Sequence, residues 1–326
     1  LSLDKKTQAI RFSATFANHN VTNLLARKQT MSTTSSSAPS SSLSKPESLP
    51  QARITKRLAD FPWWVLILLL MSAFLLFSFV TNLNYQKIIV ILIEGIRLTL
   101  TITFSAFFLS MIIGLATAFG QMSKNAFIRN IATLYVQIVR GIPALVLILY
   151  VAIVLVPAGV DLLHNLGIWM VSQGWLPPVN FLSQLESRNV DYVVRGIIAL
   201  GINYGAFSSE IFRSGIESIE KGQLEASKAL GLGWGKTMRL VVLPQAIRRI
   251  LPPLGNDFIS MLKESSLLSV LGVGEITQLG KKYASASFQY LETYNTVAFL
   301  YLSMTLILSM GVKYMEKRLK VGEQES

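Results

Sequence analysis

Four ionisable residues interrupt stretches that are otherwise apolar: Glu210 in YGAFSSEIF, and Asp257, Lys263 and Glu264 in GNDFISMLKES. Charge at membrane depth is expensive, so such groups normally face a protein interior or a water-filled path. With Asn203, Tyr204, Asn256 and Ser265 as neutral neighbours, they are the candidates for touching a polar solute. A zwitterion needs an acceptor for its ammonium and donors for its carboxylate, and Glu210 and Lys263 carry those complementary signs. The competing reading, a purely structural role for these polar groups, is the one we favour at this point. Thr99, Thr101 and Thr103 are expected to bond their own helix backbone rather than line a path.

Other chemistry is scarce. There is no cysteine, which removes disulfides, thiolate metal sites and thiol nucleophiles. The two histidines, His19 and His164, lie far apart and leave little material for a metal site or a triad. An intramembrane enzyme is therefore disfavoured. Gly231-Leu232-Gly233-Trp234-Gly235-Lys236-Thr237 imitates a phosphate-binding loop, which requires G-x4-G-K-[ST] after a strand. Here the glycine spacing is one residue short, because position 230 is Leu, and the preceding segment reads as helix. Nucleotide binding by this chain is not expected.

The elements that position these residues follow from composition. Of 326 residues, 51% are hydrophobic and only 15% are charged, with a mean hydropathy of +0.47. A soluble domain carries about 25% charged residues. A hydrocarbon core of ~30 Å needs about 20 apolar residues in a helix. Six stretches qualify or nearly so: Trp63–Val80, Leu98–Phe119, the segment after Arg140-Gly141-Ile142-Pro143 to about Val156, Val193–Phe212, Ile250–Val273 and Thr296–Tyr314. Ile131–Val139 reads as a separate interfacial segment, cut off by the Gly-Ile-Pro break. With both ends inside, 22 Lys and Arg fall in inner loops and four in outer ones. That asymmetry obeys the positive-inside rule. It also accounts for much of the +12 net charge and the pI of 9.9 without nucleic acid. The expectation is an all-α, polytopic membrane protein with six transmembrane helices, N-in and C-in.

Residues 1–60 form a basic, Ser-rich cytoplasmic tail in this reading. Thr30–Ser48 is too poor in apolar residues to order itself. The basic stretch before it resembles an organelle transit peptide but lacks the apolar core of a secretory signal. Met31 is the first methionine, and translation is expected to start there; an intact mass containing residues 1–30 would refute this. Residues 61–83 would be an added helix ahead of a membrane domain at 90–320. In the outer segment 157–191, DLLHNLGIWMVSQGWL suits either a helix lying on the bilayer or a plain loop.

The inner loop 214–249 is too patterned for a mere connector. Glu217–Leu230 has helix-forming composition, and Gly231 and Gly233 can end it through left-handed backbone. A second helical stretch, Lys236–Ile250, contains Pro244. Two short helices joined at a glycine turn and projecting from the membrane suit insertion into a partner's cleft.

Within this loop Glu225-Ala226-Ser227, then Gly231, then Val241-Val242-Leu243-Pro244 resembles the EAA motif of bacterial ABC-importer membrane subunits. Ser227 replaces Ala and Val241 replaces Ile, with the spacing intact. Lys221-Gly222-Gln223, Pro244-Gln245-Ala246, Leu262-Lys263-Glu264-Ser265-Ser266-Leu267, Arg140-Gly141-Ile142-Pro143 and Tyr204–Glu210 are similar to stretches of its histidine/glutamine/glutamate/arginine permease branch. The resemblance covers residues 90–320 and implies a five-helix core, the first predicted span being extra. It implies a bacterial inner-membrane permease for polar amino acids, not an enzyme, working with a second permease that is identical or a sister chain. Two separate ATPase subunits would carry the ATP and magnesium, and an extracytoplasmic binding protein would deliver substrate. Glu225, Ala226, Ser227, Gly231, Leu243 and Pro244 would then couple the ATPase to the helices, with no cofactor and no nucleic acid on this chain. The rival class is an ion-coupled secondary carrier using Asp257 and Glu210; it predicts inverted repeats, and none is convincing here.

Overall fold

The computed structural model describes residues 63–177 and 180–324. The expectations for residues 1–60, including the disordered stretch Thr30–Ser48 and the start at Met31, lie outside the described residues.

Helix α1 (Trp63–Thr81) turns at Asn82 into α2 (Leu83–Gln121). Asn82 caps the turn by accepting the Asn84 amide at 2.9 Å. Phe79 anchors α1 through edge-on contacts with Tyr85 and Phe299, with centroids 5.6 and 5.3 Å apart. At 39 residues α2 runs about 58 Å, well past the predicted start at Leu98. Next comes α3 (Ala126–Gly141), the separate segment expected before Pro143, capped by Asn125 at the Phe127 amide.

Past Pro143, α4 (Ala144–Tyr150) passes through a π-helical turn (Val151–Leu155) into α5 (Val156–Ser172). The outer segment is thus neither a separate surface helix nor a plain loop up to Ser172. It runs on from α4 as one rod through Pro157, which has no N–H and so leaves one carbonyl of the preceding turn without its ladder donor. In π geometry the carbonyl that Pro157 leaves open is that of Ala152, five residues back. Buried Arg195 reaches that oxygen at 3.5 Å, and also bonds the Ser187 and Val190 carbonyls at 2.5 and 2.9 Å. One guanidinium therefore ties the outer loop to two helices.

Asp191 caps α6 (Tyr192–Glu217). The loop helices are α7 (Lys221–Ala229) and α8 (Trp234–Thr237), and a second π turn (Met238–Val242) leads into α9 (Leu243–Glu264). The second loop helix, expected to be separate and short, is instead the start of a rod that continues as α9. A 3-10 stretch (Ser265–Leu271) closes at Gly272, whose φ of 80° needs a residue without Cβ. Then follow α10 (Ile276–Ser287), which the sequence reading left as loop, and α11 (Tyr290–Gln324).

The most extensive helix pair is α2 with α6. A Cβ on Gly114 would sit 2.8 Å from Ser208 Cβ and 3.1 Å from the Gly205 carbonyl. In lipid such backbone approach replaces the hydrophobic drive that water supplies. A second cluster joins Ile88 and Leu92 of α2 to Ile276 of α10 and to Val297 and Leu300 of α11. Beside it Glu275, 0% exposed, caps α10 through the Thr277 and Gln278 amides and accepts the Tyr301 hydroxyl at 2.7 Å.

Among the described residues, three helices are long and apolar enough to cross a membrane: Leu83–Gln121, Ala144–Ser172 and Tyr290–Leu319, with a shorter apolar stretch at Leu69–Thr81. The architecture is an all-helical membrane fold with several spans. Polar side chains remove α6 and α9 from that count.

A Cβ on Gly95 would meet the backbone of Ile276 at 2.8 and 2.9 Å, whereas one on Gly159 meets nothing within 4 Å. Gly95→Ala should destabilise the protein by about 1–3 kcal/mol, the usual cost of overpacking, and Gly159→Ala should not. Melting temperatures of the two variants in detergent check this; equal values would contradict the close α2–α10 contact.

Candidate functional site

Alanines and long unbranched side chains (Lys221, Gln223, Leu224, Glu225, Lys228) favour helix in α7, and a Schellman turn stops it. The Leu232 amide donates to the Ser227 carbonyl at 3.0 Å and the Gly231 amide to the Lys228 carbonyl at 2.9 Å. Gly231 takes φ 73°, and a Cβ there would meet no atom of this chain within 4 Å. The glycine is required by conformation, not by space inside the chain. No strand precedes the Gly231–Thr237 stretch among the described residues, so its likeness to a phosphate loop ends with the spelling.

The loop is stitched by side chains. Ser227 is buried, its hydroxyl 3.1 Å from that of Thr237 and bonded to the Leu224 carbonyl at 2.8 Å. Gln245 Nε2 donates to Gln223 Oε1 at 2.6 Å and to the Val241 carbonyl at 3.0 Å. Arg249 donates to the Ser218 carbonyl at the end of α6, at 2.6 Å. Glu225, Ala226, Leu243 and Pro244 are exposed. At the tip, Leu230 and Trp234 are 79% and 76% exposed. Beneath it lies a cavity of about 570 Å³, walled in part by Ile216, Ile219, Leu224, Leu232, Met238 and Val242.

The membrane-depth candidates divide into two sets. Asn203 and Tyr204 are buried on α6. Ser265 is buried and spends its hydroxyl on the Leu262 carbonyl at 2.7 Å. Asp257 and Glu264, seven residues apart and so on one face of α9, stand near Tyr204. Asp257 Oδ2 and Glu264 Oε2 are each buried without a hydrogen-bond partner. Asn256 and Lys263 share the same seven-residue spacing on the adjoining, exposed face of α9, with the Lys263 charge near Glu264. Glu210 does not face Lys263. Its carboxylate pairs with Arg140 at the end of α3, and that guanidinium also lies 5.7 Å from the Phe207 ring. Glu210 and Asp257 line one open pocket of about 420 Å³ with Arg213 and Ser214. Thr99, Thr101 and Thr103 bond the carbonyls four residues back, as expected.

Sequence reasoning missed Arg140 as the partner of Glu210, and the Gln223–Gln245 and Ser227–Thr237 links. Arg140 gave a signal, since a lone charge beside a helix break at membrane depth demands a partner. The glutamines gave none beyond their presence in motif-like stretches. Among the described residues, no group of three His, Asp or Glu converges as metal ligands.

Residues 110–321 match the family described as binding-protein-dependent transport system inner membrane component. The chain is 33% identical over 231 residues to the glutamine transport system permease protein GlnP of Escherichia coli, covering 71% of this chain and 94% of that one. It is 31% identical over 232 residues to the arginine transport system permease protein ArtQ of Bacillus subtilis, covering 71% and 94%. Among solved structures it resembles a chain of an amino acid ABC transporter crystallised with histidines. That match has a TM-score of 0.59 and 33% identity over 72% of this chain and 97% of the other. A chain of the MetNI methionine transporter shares the fold, with a TM-score of 0.53 at 21% identity over 70% and 96%.

Removing one member of an ion pair strands the other charge, whereas removing both can be nearly neutral. Arg140→Gln should lower the melting temperature in detergent, and adding Glu210→Gln should recover much of the loss. The coupling energy should be about 1 kcal/mol, because the pair is partly exposed. A strictly additive double variant would show that the pair does not hold α3 to α6.

Proposed function

We propose, from the family to which this chain belongs, the binding-protein-dependent transport system inner membrane components, that it imports polar amino acids using ATP hydrolysed elsewhere. It is a multi-pass, non-catalytic permease of the inner membrane, and its family implies an ATPase and a binding protein as partners. The finer assignments are ours. The six spans would be α1, α2, α4–α5, α6, α9 and α11, with both ends in the bacterial cytoplasm. Residues 1–60 would be a tail, 61–83 an added helix and 90–320 the permease domain with its coupling loop at 214–249. Two ATPase subunits and a second permease would complete the complex, with ATP and magnesium held by the ATPases. The glutamine and arginine permeases among the relatives support the substrate class.

One observation carries the coupling assignment. A stiff helix, α7, ends in a fixed turn whose tip exposes Leu230 and Trp234 while its own chain leaves the glycine unobstructed. Exposed apolar side chains on a rigid, projecting tip support a protein partner there. ATP-driven closure of the ATPases would push this tip, and Glu225, Ala226, Ser227, Gly231, Leu243 and Pro244 would pass the movement to the membrane helices. In the membrane, the group formed by Tyr204, Glu210, Asp257 and Glu264, with Asn203 and Ser265 behind it, is the better candidate for an ammonium acceptor. Asn256 and Lys263 lie on the adjoining, exposed face of α9 and would serve a carboxylate only from there.

The test is uptake into proteoliposomes holding this permease, its ATPase and its binding protein, with labelled amino acids in competition. ATP-dependent uptake is expected, with glutamine and arginine among the competitors. Gly231→Trp should abolish it, because the indole projects into the partner's seat. Gly231→Asn, which tolerates the left-handed backbone, should retain most of it. Uptake driven by an ion gradient without the ATPase would overturn the reading and favour a secondary carrier. Full transport by an assembled Gly231→Trp complex would remove the coupling role.

A further inference from the structure

We propose that Gln223 and Gln245 are positioning residues: their side-chain bond carries the displacement of α7 into α9. This rests on the reading of α7 as the seat of the ATPase. Of the nine residues of α7, Lys221, Gly222, Glu225, Ala226, Lys228 and Ala229 are exposed. Gln223, Leu224 and Ser227 are the less exposed ones. Leu224 lines the cavity of about 570 Å³, where packing is loose and transmits movement poorly. Ser227 reaches Thr237, which lies on α8 within the same projecting loop.

Thr237 is on the wrong side of a hinge. Between it and the membrane part of α9 stand the π turn Met238–Val242 and Pro244. Pro244 lacks an N–H, so a bond of the i→i−4 ladder is absent there, and π turns interrupt regular helix geometry. A push delivered at Thr237 would be absorbed by that hinge. Gln245 is the first residue beyond Pro244. Its amide bonds Gln223 at 2.6 Å and also the Val241 carbonyl inside the π turn at 3.0 Å. One side chain therefore bypasses the hinge and braces it. One turn further on, Arg249 holds the Ser218 carbonyl at the end of α6, giving α9 a fixed point against which to tilt.

The experiment measures labelled glutamine and arginine transported per ATP hydrolysed by the reconstituted complex, alongside the amount of ATPase that co-purifies. Gln223→Leu and Gln245→Leu should each lower transport per ATP by about fivefold, the size of one net hydrogen bond, while hydrolysis and co-purification persist. The two together should lose no more than either alone, because they break one link. Gln223→Glu with Gln245→Lys, which restores an attraction between the two positions, should recover the ratio. A packing role alone would lower yield and leave the ratio unchanged.

An unchanged ratio in the leucine variants, with Gly231→Trp still uncoupled, overturns the link and leaves the seat standing. An unchanged ratio in all of them, Gly231→Trp included, overturns both. Loss of co-purified ATPase from the leucine variants also overturns the proposal, since the pair would then shape the seat rather than transmit from it.

Discussion

The fold hangs on the close approach of α2 and α6. Between two helices in lipid there is no hydrophobic gain, since acyl chains are as apolar as leucine. What remains is van der Waals contact, which falls off within an ångström, and so the backbones themselves must meet. Gly114 brings α2 onto Ser208 and the Gly205 carbonyl, and a Cβ on Gly205 would lie 2.7 Å from Ile113 and 2.9 Å from the Tyr135 hydroxyl. The same contact admits α3, because Tyr135 donates to the Ile202 carbonyl at 2.6 Å. Arg140, further along α3, then meets Glu210 on α6. Widening the α2–α6 pair would disturb both links at once, and with them the position of every candidate on α6.

Polar groups at membrane depth are arranged by helix period on that frame. Gly215 of α6 lets Ile250 of α9 press in, its missing Cβ lying 2.2 Å from Ile250 Cγ1. With the crossing fixed there, a seven-residue spacing sends Asp257 and Glu264 toward α6 and the same spacing sends Asn256 and Lys263 outward. The carboxylates thus gather with Tyr204 while the lysine does not. Two unpartnered carboxylate oxygens are a cost to folding that packing alone would have removed.

The contrast between what the sequence made readable and what it did not follows the range of the interaction. Gly231 was legible because a helix-forming run followed by glycine has a local solution, the left-handed stop. The threonine-to-carbonyl bonds of α2 were legible for the same reason. The Arg140–Glu210 pair spans 70 residues, and a charge names the sign of its partner but not its address. The rod 144–172 is read too short, ending at about Val156 before Pro157, whereas the stretch from Lys236 is carried across Pro244 and divided from α9's later part only at Ile250. Here a π turn precedes each proline and lets the rod continue. Helix α10 was missed because beyond Ile276 its buried face is small residues, Gly280 and Ala284, and its start depends on Glu275, whose value as a cap appears only once Tyr301 accompanies it.

The two π turns are related in a way that bears on motion. Each lies just before a proline, Pro157 in one and Pro244 in the other. In each, a side chain takes up a carbonyl within the turn: Arg195 at Ala152, and Gln245 at Val241. Each of those side chains also bonds a neighbouring segment, Arg195 the loop at Ser187 and Val190, Gln245 the helix α7 at Gln223. A bend in a helix that is free dissipates a push as local flexing, and a bend that is fused cannot turn. A bend braced by a side chain anchored on the adjoining loop does neither. It holds its angle until the loop moves, and then moves with it. In this chain both π turns carry such a brace, each held to a neighbouring segment through one side chain.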